Sequence, residues 1–292
     1  MRFLDKADFF YRQRPTVRFW AIAGLFFCLL QSLLLGQRLL DERAQPGMER
    51  IDQKEGAQRL ASFRQQRLNG DYVFEFQLEH KPRRARTTRK AGVMWGTWNA
   101  QGALTRIRIF TDSDAEDAPR SNAIDWIVQS GPAPQAWIRE HEQMEFRPVK
   151  GKALFEPLLE GLNYSVFDLQ MPFIHWNEFE YEGPELVGAT RVAQSFLMFA
   201  PEESPSRAHG IAAVRIGLDD TYNALLRIEV LGDDGEEHSR FQVESFKKVG
   251  GEYIVKKITL TDYPSKDRTT FNVTDASVGL ELDPDLFAVS LQ

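Results

Sequence analysis

The chain has 292 residues, of which 42% are hydrophobic, 27% charged and 12% aromatic, with a single Cys and a formal charge of −6. This balance excludes a disordered or collagen-like chain, an internal disulfide framework and a multi-Cys zinc site. The acidic pI of about 5.5 argues against nucleic acid as a partner, because phosphate affinity is built from dense Lys and Arg. A mean hydropathy of −0.39 excludes a multi-span membrane protein and leaves room for one span.

Residues 19–36 (FWAIAGLFFCLLQSLLLG) carry no charge and sit near the lower length limit of a spanning helix. Arg2, Lys6, Arg12, Arg14 and Arg18 precede them against Asp5 and Asp8. That bias holds the N-terminus in the cytoplasm and sends the rest across. An uncleaved anchor is the favoured reading. A cleaved signal peptide is the alternative, although Leu34-Leu35-Gly36 places a bulky residue where a cleavage site wants a small one. The predicted organisation is a basic cytoplasmic leader (1–18), an anchor or signal peptide (19–36), a helical linker (37–54) and one exported domain (55–292).

Leu39, Leu40, Ala44, Met48 and Ile51 follow near-helical spacing, with a break at Pro46-Gly47. A second helix is predicted over 55–68, with Ala57, Leu60, Ala61 and Leu68 on its apolar face and Asn69-Gly70 at its end. The period then changes to two. Tyr72, Phe74, Phe76 and Leu78 alternate with Val73, Glu75, Gln77 and Glu79, which gives a strand with one aromatic face. Further strands are predicted over 91–99, 104–110, 123–129 and 135–145. An acidic loop at 112–117 lacks the Gly and closing Glu of an EF-hand. Residues 154–173 (LFEPLLEGLNYSVFDLQMPF) are apolar, broken by Pro and Gly, and suit short helices lying across a sheet. Strands resume at 179–181, 193–200, 212–218, 224–231, 238–247, 253–261 and 269–274, with turn chemistry at 232–235 and Gly250-Gly251. This is about eleven antiparallel strands in one large curved sheet.

No catalytic signature is present. His80, His141, His175, His209 and His238 are scattered, and there is no nucleophile elbow, P-loop or dinucleotide fingerprint. No catalytic residue, metal or cofactor is expected. The informative feature is apolar load on one sheet face: Phe241 and Val243, Leu226, Ile228 and Val230, and Ile258 and Leu260 all alternate with polar neighbours. Such a face must be buried against something. The helices at 55–68 and 154–174 either fill the hollow and leave a dry core, or roof a concave cavity that takes acyl chains.

Three separated stretches carry a resemblance: residues 161–169 (GLNYSVFDL), 171–176 (MPFIHW) with 179–183 (FEYEG), and the C-terminal pieces 246–253 (FKKVGGEY), 267–271 (DRTTF) and 283–287 (DPDLF). Over roughly residues 55–290 the chain resembles the bacterial outer-membrane lipoprotein-sorting proteins, the LolA/LolB-like periplasmic lipoprotein carriers. The resemblance implies a mainly β fold with helical cover: an incomplete antiparallel β-barrel of about eleven strands, here joined to an N-terminal membrane helix. It implies no enzyme activity, but shielding of lipoprotein acyl chains between membranes. On this reading Phe74, Phe76, Trp95, Leu169, Phe173, Trp176, Phe241 and Phe271 contact the cavity or its lid, and Arg268 is a candidate lid latch. The expected partners are lipoprotein acyl chains or phospholipid, the membrane through residues 19–36, and lipoprotein machinery of the inner or outer membrane. The expected compartment is the periplasm, with a tether to the inner membrane unless residues 19–36 are cleaved. The alternatives are an anchored sensor or regulatory module using the same cavity without transport, and a periplasmic hydrolase.

Overall fold

The structure, a computed structural model, describes residues 49–111, 122–188 and 190–289. A helix, α1 (Gln53–Gln65), opens the described chain. It begins where the Asp52 carboxylate accepts the backbone N–H of Glu55 at 2.7 Å, which satisfies one of the unpaired donors of a helix start. The strands that follow are β1 (Asp71–Lys81), β2 (Thr88–Asn99), β3 (Gly102–Phe110), β4 (Ala123–Gln129), β5 (Gln135–Arg139) and β6 (Arg147–Pro148). A second series runs β7 (Phe179–Val187), β8 (Arg191–Phe199), β9 (Ile211–Asp219), β10 (Leu225–Gly232), β11 (Glu237–Val249), β12 (Glu252–Asp262) and β13 (Arg268–Leu280).

All thirteen form one antiparallel sheet in the order β6-β5-β4-β3-β2-β1-β13-β12-β11-β10-β9-β8-β7. Within each series every strand pairs with its sequence neighbour, and the two series meet where β1 pairs with β13 from Asp71–Leu280 to Lys81–Arg268. The free edges are therefore β6 and β7. The chain between them is the apolar stretch near 151–176, and it crosses the hollow side of the sheet. Twist bends so large a sheet toward a barrel. The bend is helped by bulges between Glu75 and Phe76 and between Val243 and Phe246.

The inner face follows the period-two pattern. Tyr72, Phe74 and Phe76 of β1 stand opposite Gly96, Met94 and Gly92 of β2. The two glycines are needed there: a Cβ at Gly92 would lie 2.3 Å from the Phe76 ring, and one at Gly96 would lie 2.0 Å from the Tyr72 ring. The outer face is held by charge. Asp125 accepts hydrogen bonds from Arg106, Arg108 and Arg139 across β3, β4 and β5. Glu229 on β10 pairs with Arg215, Arg227 and Arg240 from three adjacent strands.

Several expectations are corrected. The sheet has thirteen strands rather than about eleven. The predicted run 135–145 ends at Arg139, and Arg147–Pro148 adds a two-residue edge strand. The buried face of α1 is Gly56 and Leu60, with Ala61 exposed. Gly56 lets the helix approach Tyr181 and Phe196 so closely that a Cβ there would lie 3.1 Å from the Tyr181 ring, and this turns the helix away from the Ala57–Ala61 side. Leu68 lies beyond its end. A membrane helix does not belong to the observed architecture: among the described residues no helix is long and apolar enough to cross a membrane. The expected membrane contact through such a helix therefore finds no support among the described residues. Residues 19–36, the linker reading up to Met48 and the acidic loop at 112–117 lie outside the described residues.

Candidate functional site

The segment between β6 and β7 covers the hollow in short pieces. A one-and-a-half-turn helix, α2 (Val166–Gln170), starts at a capping box: the Ser165 Oγ accepts the Asp168 N–H, and the Asp168 carboxylate accepts from the Ser165 N–H at 2.8 Å and its hydroxyl at 2.7 Å. Met171, at φ 47°, ends the helix, and Pro172 starts a 3₁₀ turn over Pro172–His175. These starts and stops aim Phe167 and Phe173 into the hollow. Phe155 and Phe167 meet at 5.2 Å between ring centroids, Phe167 and Phe173 at 5.7 Å, and Tyr164 packs edge-on to Phe241 at 5.4 Å. This end of the half-barrel is filled.

The other end is not. A cavity of about 1140 Å³ lies between the sheet and its helical cover. Its floor is Tyr72, Phe74, Met94, Ile254, Phe271 and Val273, and its roof is Phe63 of α1 with Leu169, Met171 and Ile174. The mouth is formed by the hairpin ends, including Trp98, Gly131, Thr190, Arg191, Tyr222 and Tyr253. The volume exceeds the roughly 300–1,000 Å³ of ordinary small-ligand pockets. Helix α1 lies across the opening; its first residue, Gln53, accepts the Tyr181 N–H at 3.2 Å, and two arginines tie it further along. Arg64 donates to the carbonyl oxygens of Ile174 and Trp176 at 2.6 and 2.8 Å. Arg59 donates to the Asp220 carbonyl oxygen at 2.9 Å and pairs with its carboxylate, while the Asn223 amide donates to the Arg59 carbonyl oxygen.

The polar groups that line the cavity gather along its roof and at its mouth. Burial, and then the charge of Arg64, lower the pKa of His175, so its ring is held neutral. Burial raises the pKa of the Tyr72 hydroxyl, which faces the Thr105 hydroxyl at 3.4 Å. Gln170 is buried, and its Nε2 has no hydrogen-bond partner within the protein. Among the described residues no group of three His, Cys, Asp or Glu side chains could hold a metal ion.

Of the residues singled out from sequence, Phe74, Leu169 and Phe271 border the cavity. Phe76 lies beneath it, with its ring 4.8 Å from that of Phe271. Phe173, Trp176 and Phe241 are buried in the filled part. Trp95 is on the opposite face of the sheet, packed with Leu282, Leu286 and Phe287. Arg268 sits exposed at the start of β13, opposite Lys81 and Thr261, at the end away from the mouth. Sequence reasoning missed Tyr72, Met94, Ile254 and Val273 as lining residues and Arg59 and Arg64 as ties. Tyr72 was within reach, since it shares the alternating run of Phe74.

No protein-family model matches the chain, and no curated protein matches it by sequence. Solved structures do match it in fold. A DUF1329 family protein from Desulfovibrio piger superposes with a TM-score of 0.68 at 12% identity, over 80% of this chain and 96% of that one. An outer membrane lipoprotein-sorting protein domain from Vibrio parahaemolyticus does so at 0.65 and 15%, over 80% and 94%. A LolA superfamily protein from Nitrosomonas europaea follows at 0.57 and 12%, over 82% and 98%. At these identities the likeness is one of fold: thirteen antiparallel strands bent around a hollow, with a short helical cover, give this chain a LolA/LolB-like fold.

Proposed function

We propose that this chain binds lipid or lipoprotein acyl chains in the cavity beneath α1, in the periplasm, without catalysing a reaction on them, and that residues 55–292 are the unit that does so. The observation that carries this reading is the apolar cavity of about 1140 Å³, open at one end and roofed by a strapped helix. A buried methylene contributes about 0.8 kcal/mol, so a chain with a dozen methylenes inside gains on the order of 10 kcal/mol before the cost of ordering it. Binding of this kind is partition: the cavity competes with membranes for the chain, and a site of higher affinity removes it. The lipoprotein-sorting name of the Vibrio domain supports this reading.

The test is lipid extraction and mass spectrometry of the purified protein, followed by titration with a fluorescent fatty acid and displacement by a lipopeptide. Co-purified acyl species, or saturable binding that the lipopeptide reverses, is the expected result. A protein that carries no acyl ligand and binds neither probe does not have this function.

A further inference from the structure

The hairpins of the sheet turn alternately at its two ends. The turns β2–β3, β4–β5, β7–β8, β9–β10 and β11–β12 all lie at the cavity mouth, as does the passage from α1 into β1. Three large aromatic side chains stand in the open on this rim: Trp98 is 40% exposed, Tyr222 71% and Tyr253 67%. Each comes from a different hairpin, and each borders the cavity. Among the described residues only Met144, Leu186 and Tyr263 are comparable exposed apolar side chains, and none of them lines the cavity. A single exposed Tyr needs no explanation. Three aromatic tips on three turns around one apolar opening form a patch. Trp and Tyr, apolar in body and polar at the tip, are the residues that settle at a membrane–water boundary.

The charges on the rim are arranged to match. Arg67 and Arg191 are exposed and border the cavity, and Lys248 lies over the Tyr253 ring at 5.5 Å. Among the described residues none of these three forms an ion pair. The carboxylates nearby are engaged: Asp219 accepts the Thr221 and Tyr222 N–H groups, Asp220 pairs with Arg59 and accepts from Gln194, and Asp71 accepts the Leu282 N–H. Glu252, half-buried, is the remaining carboxylate among the described residues that line the cavity. Arg67 is thus left to solvent, and Arg191 and Lys248 are matched only by the Phe246 and Tyr253 rings, while Asp219, Asp220 and Asp71 already hold partners within the protein.

We infer that this rim docks on the surface of an anionic phospholipid bilayer, with Trp98, Tyr222 and Tyr253 in the headgroup layer and Arg67, Arg191 and Lys248 against lipid phosphates. Each such cation is attracted to an anionic membrane over about a Debye length. The docked orientation puts the cavity mouth against the pool of acyl chains, so a chain enters or leaves without crossing water. This last step rests on the acyl-cavity reading; docking itself does not.

The experiment uses the full chain with Cys28→Ser and one reporter cysteine carrying a polarity-sensitive fluorophore. Thr221→Cys reports from the rim, and Asp234→Cys reports from the β10–β11 turn at the far end. The reporters read their own end whatever the rest of the chain does. Vesicles of phosphatidylglycerol with phosphatidylcholine are expected to shift the emission at position 221 to the blue and leave that at 234 unchanged, and pure phosphatidylcholine is expected to shift it less. Replacing Arg67, Arg191 or Lys248 singly by Ala lowers vesicle affinity about fivefold each, and reversing all three to Glu abolishes the shift. An unmoved signal at 221, an equal response at both positions, or a response that follows protein concentration instead of vesicles overturns the inference; the last identifies a second copy as the occupant. Fluorescent fatty acid titrated without vesicles separates the two readings. Docking without fatty-acid binding leaves the inference standing and removes the acyl cavity, and the reverse does the opposite.

Discussion

Arg64 donates from Nε to the Ile174 carbonyl oxygen at 2.6 Å and from Nη2 to that of Trp176 at 2.8 Å, so one guanidinium joins α1 to a cover segment 110 residues away. Both acceptors belong to the 3₁₀ turn and its cap, whose carbonyls have no other backbone donor to satisfy them in a continuing helix. Together with Arg59 and Asp220 on the far side, this makes α1 a strap over the cavity. Arg64→Met keeps the aliphatic stem and removes both charged hydrogen bonds, and we expect it to cost about 2–3 kcal/mol. Amide exchange over 53–65 and 172–176 should accelerate relative to β1, and fatty-acid uptake should become faster. Unchanged exchange in α1 would show that the strap is held elsewhere.

Asp168 sets a pH dependence in the cover. Burial raises its pKa to about 6, partly offset by the hydrogen bonds from Ser165. The folded value lies above the ordinary 3.8, so the native state holds the proton more tightly than the unfolded chain. Its contribution to stability is therefore full below about pH 3.8 and is lost as pH rises through about 6. Asp168→Asn should remove this part of the slope between those limits while keeping an acceptor for Ser165. The comparison is denaturant unfolding of both proteins across pH 4–7. Parallel curves for the two would show that Asp168 titrates as it does in the unfolded chain.

The sheet was legible in the sequence where a strand alternates an apolar face with a polar one. Phe74, Phe76 and Leu78 alternate with Glu75, Gln77 and Glu79, and Ile228 and Val230 with Arg227 and Glu229. Where both faces are apolar, parity is lost. Residues 92–98 of β2 read GVMWGTW, and Trp95, the larger side chain, faces away from the hollow while Met94 faces Phe74. The outer partner of Trp95 is the 3₁₀ turn Pro284–Phe287, which no local pattern ties to β2. Edge strand β6 offered even less: Arg147 and Pro148 are both exposed and carry no alternation. Arg64 reads as an ordinary solvated helix residue, and only the fold brings two bare carbonyls within its reach.

Glycine spacing in β2 separates stability from capacity. A Cβ at Gly92 would meet both the Phe76 ring and, at 2.6 Å, the Arg108 carbonyl oxygen, which is backbone and fixed by the sheet. A Cβ at Gly96 would meet only the Tyr72 ring among its three nearest atoms, and that ring borders the cavity. Gly92→Ala should therefore destabilise the protein by about 1–3 kcal/mol through overpacking. Gly96→Ala should cost less and push Tyr72 into the cavity, which weakens fatty-acid binding. Melting curves paired with fatty-acid titrations distinguish the two. Equal losses in both quantities for both variants would contradict a floor built from rings laid over glycines.

The outer face supplies the sharpest stability test. Asp125 is nearly inaccessible, with its side chain 3% exposed, and it meets Arg106, Arg108 and Arg139 across three strands. Burial alone would raise its pKa, but the Arg108 and Arg139 hydrogen bonds and the charges of Arg106 and Arg108 outweigh that and hold it well below the usual carboxylate range. The sign is opposite to that of Asp168. With the folded pKa depressed, the stabilising contribution is present above the ordinary value of 3.8 and is lost as pH falls below it. Asp125→Ala leaves three half-buried cations facing one another and should cost about 3–5 kcal/mol at neutral pH. Asp125→Asn keeps the volume and some hydrogen bonding, so it should cost less and flatten the acid limb of the stability curve. An acid limb as steep in the Asn variant as in the parent would show that other carboxylates govern acid unfolding, and that the three arginines are solvated well enough to stand without their anion.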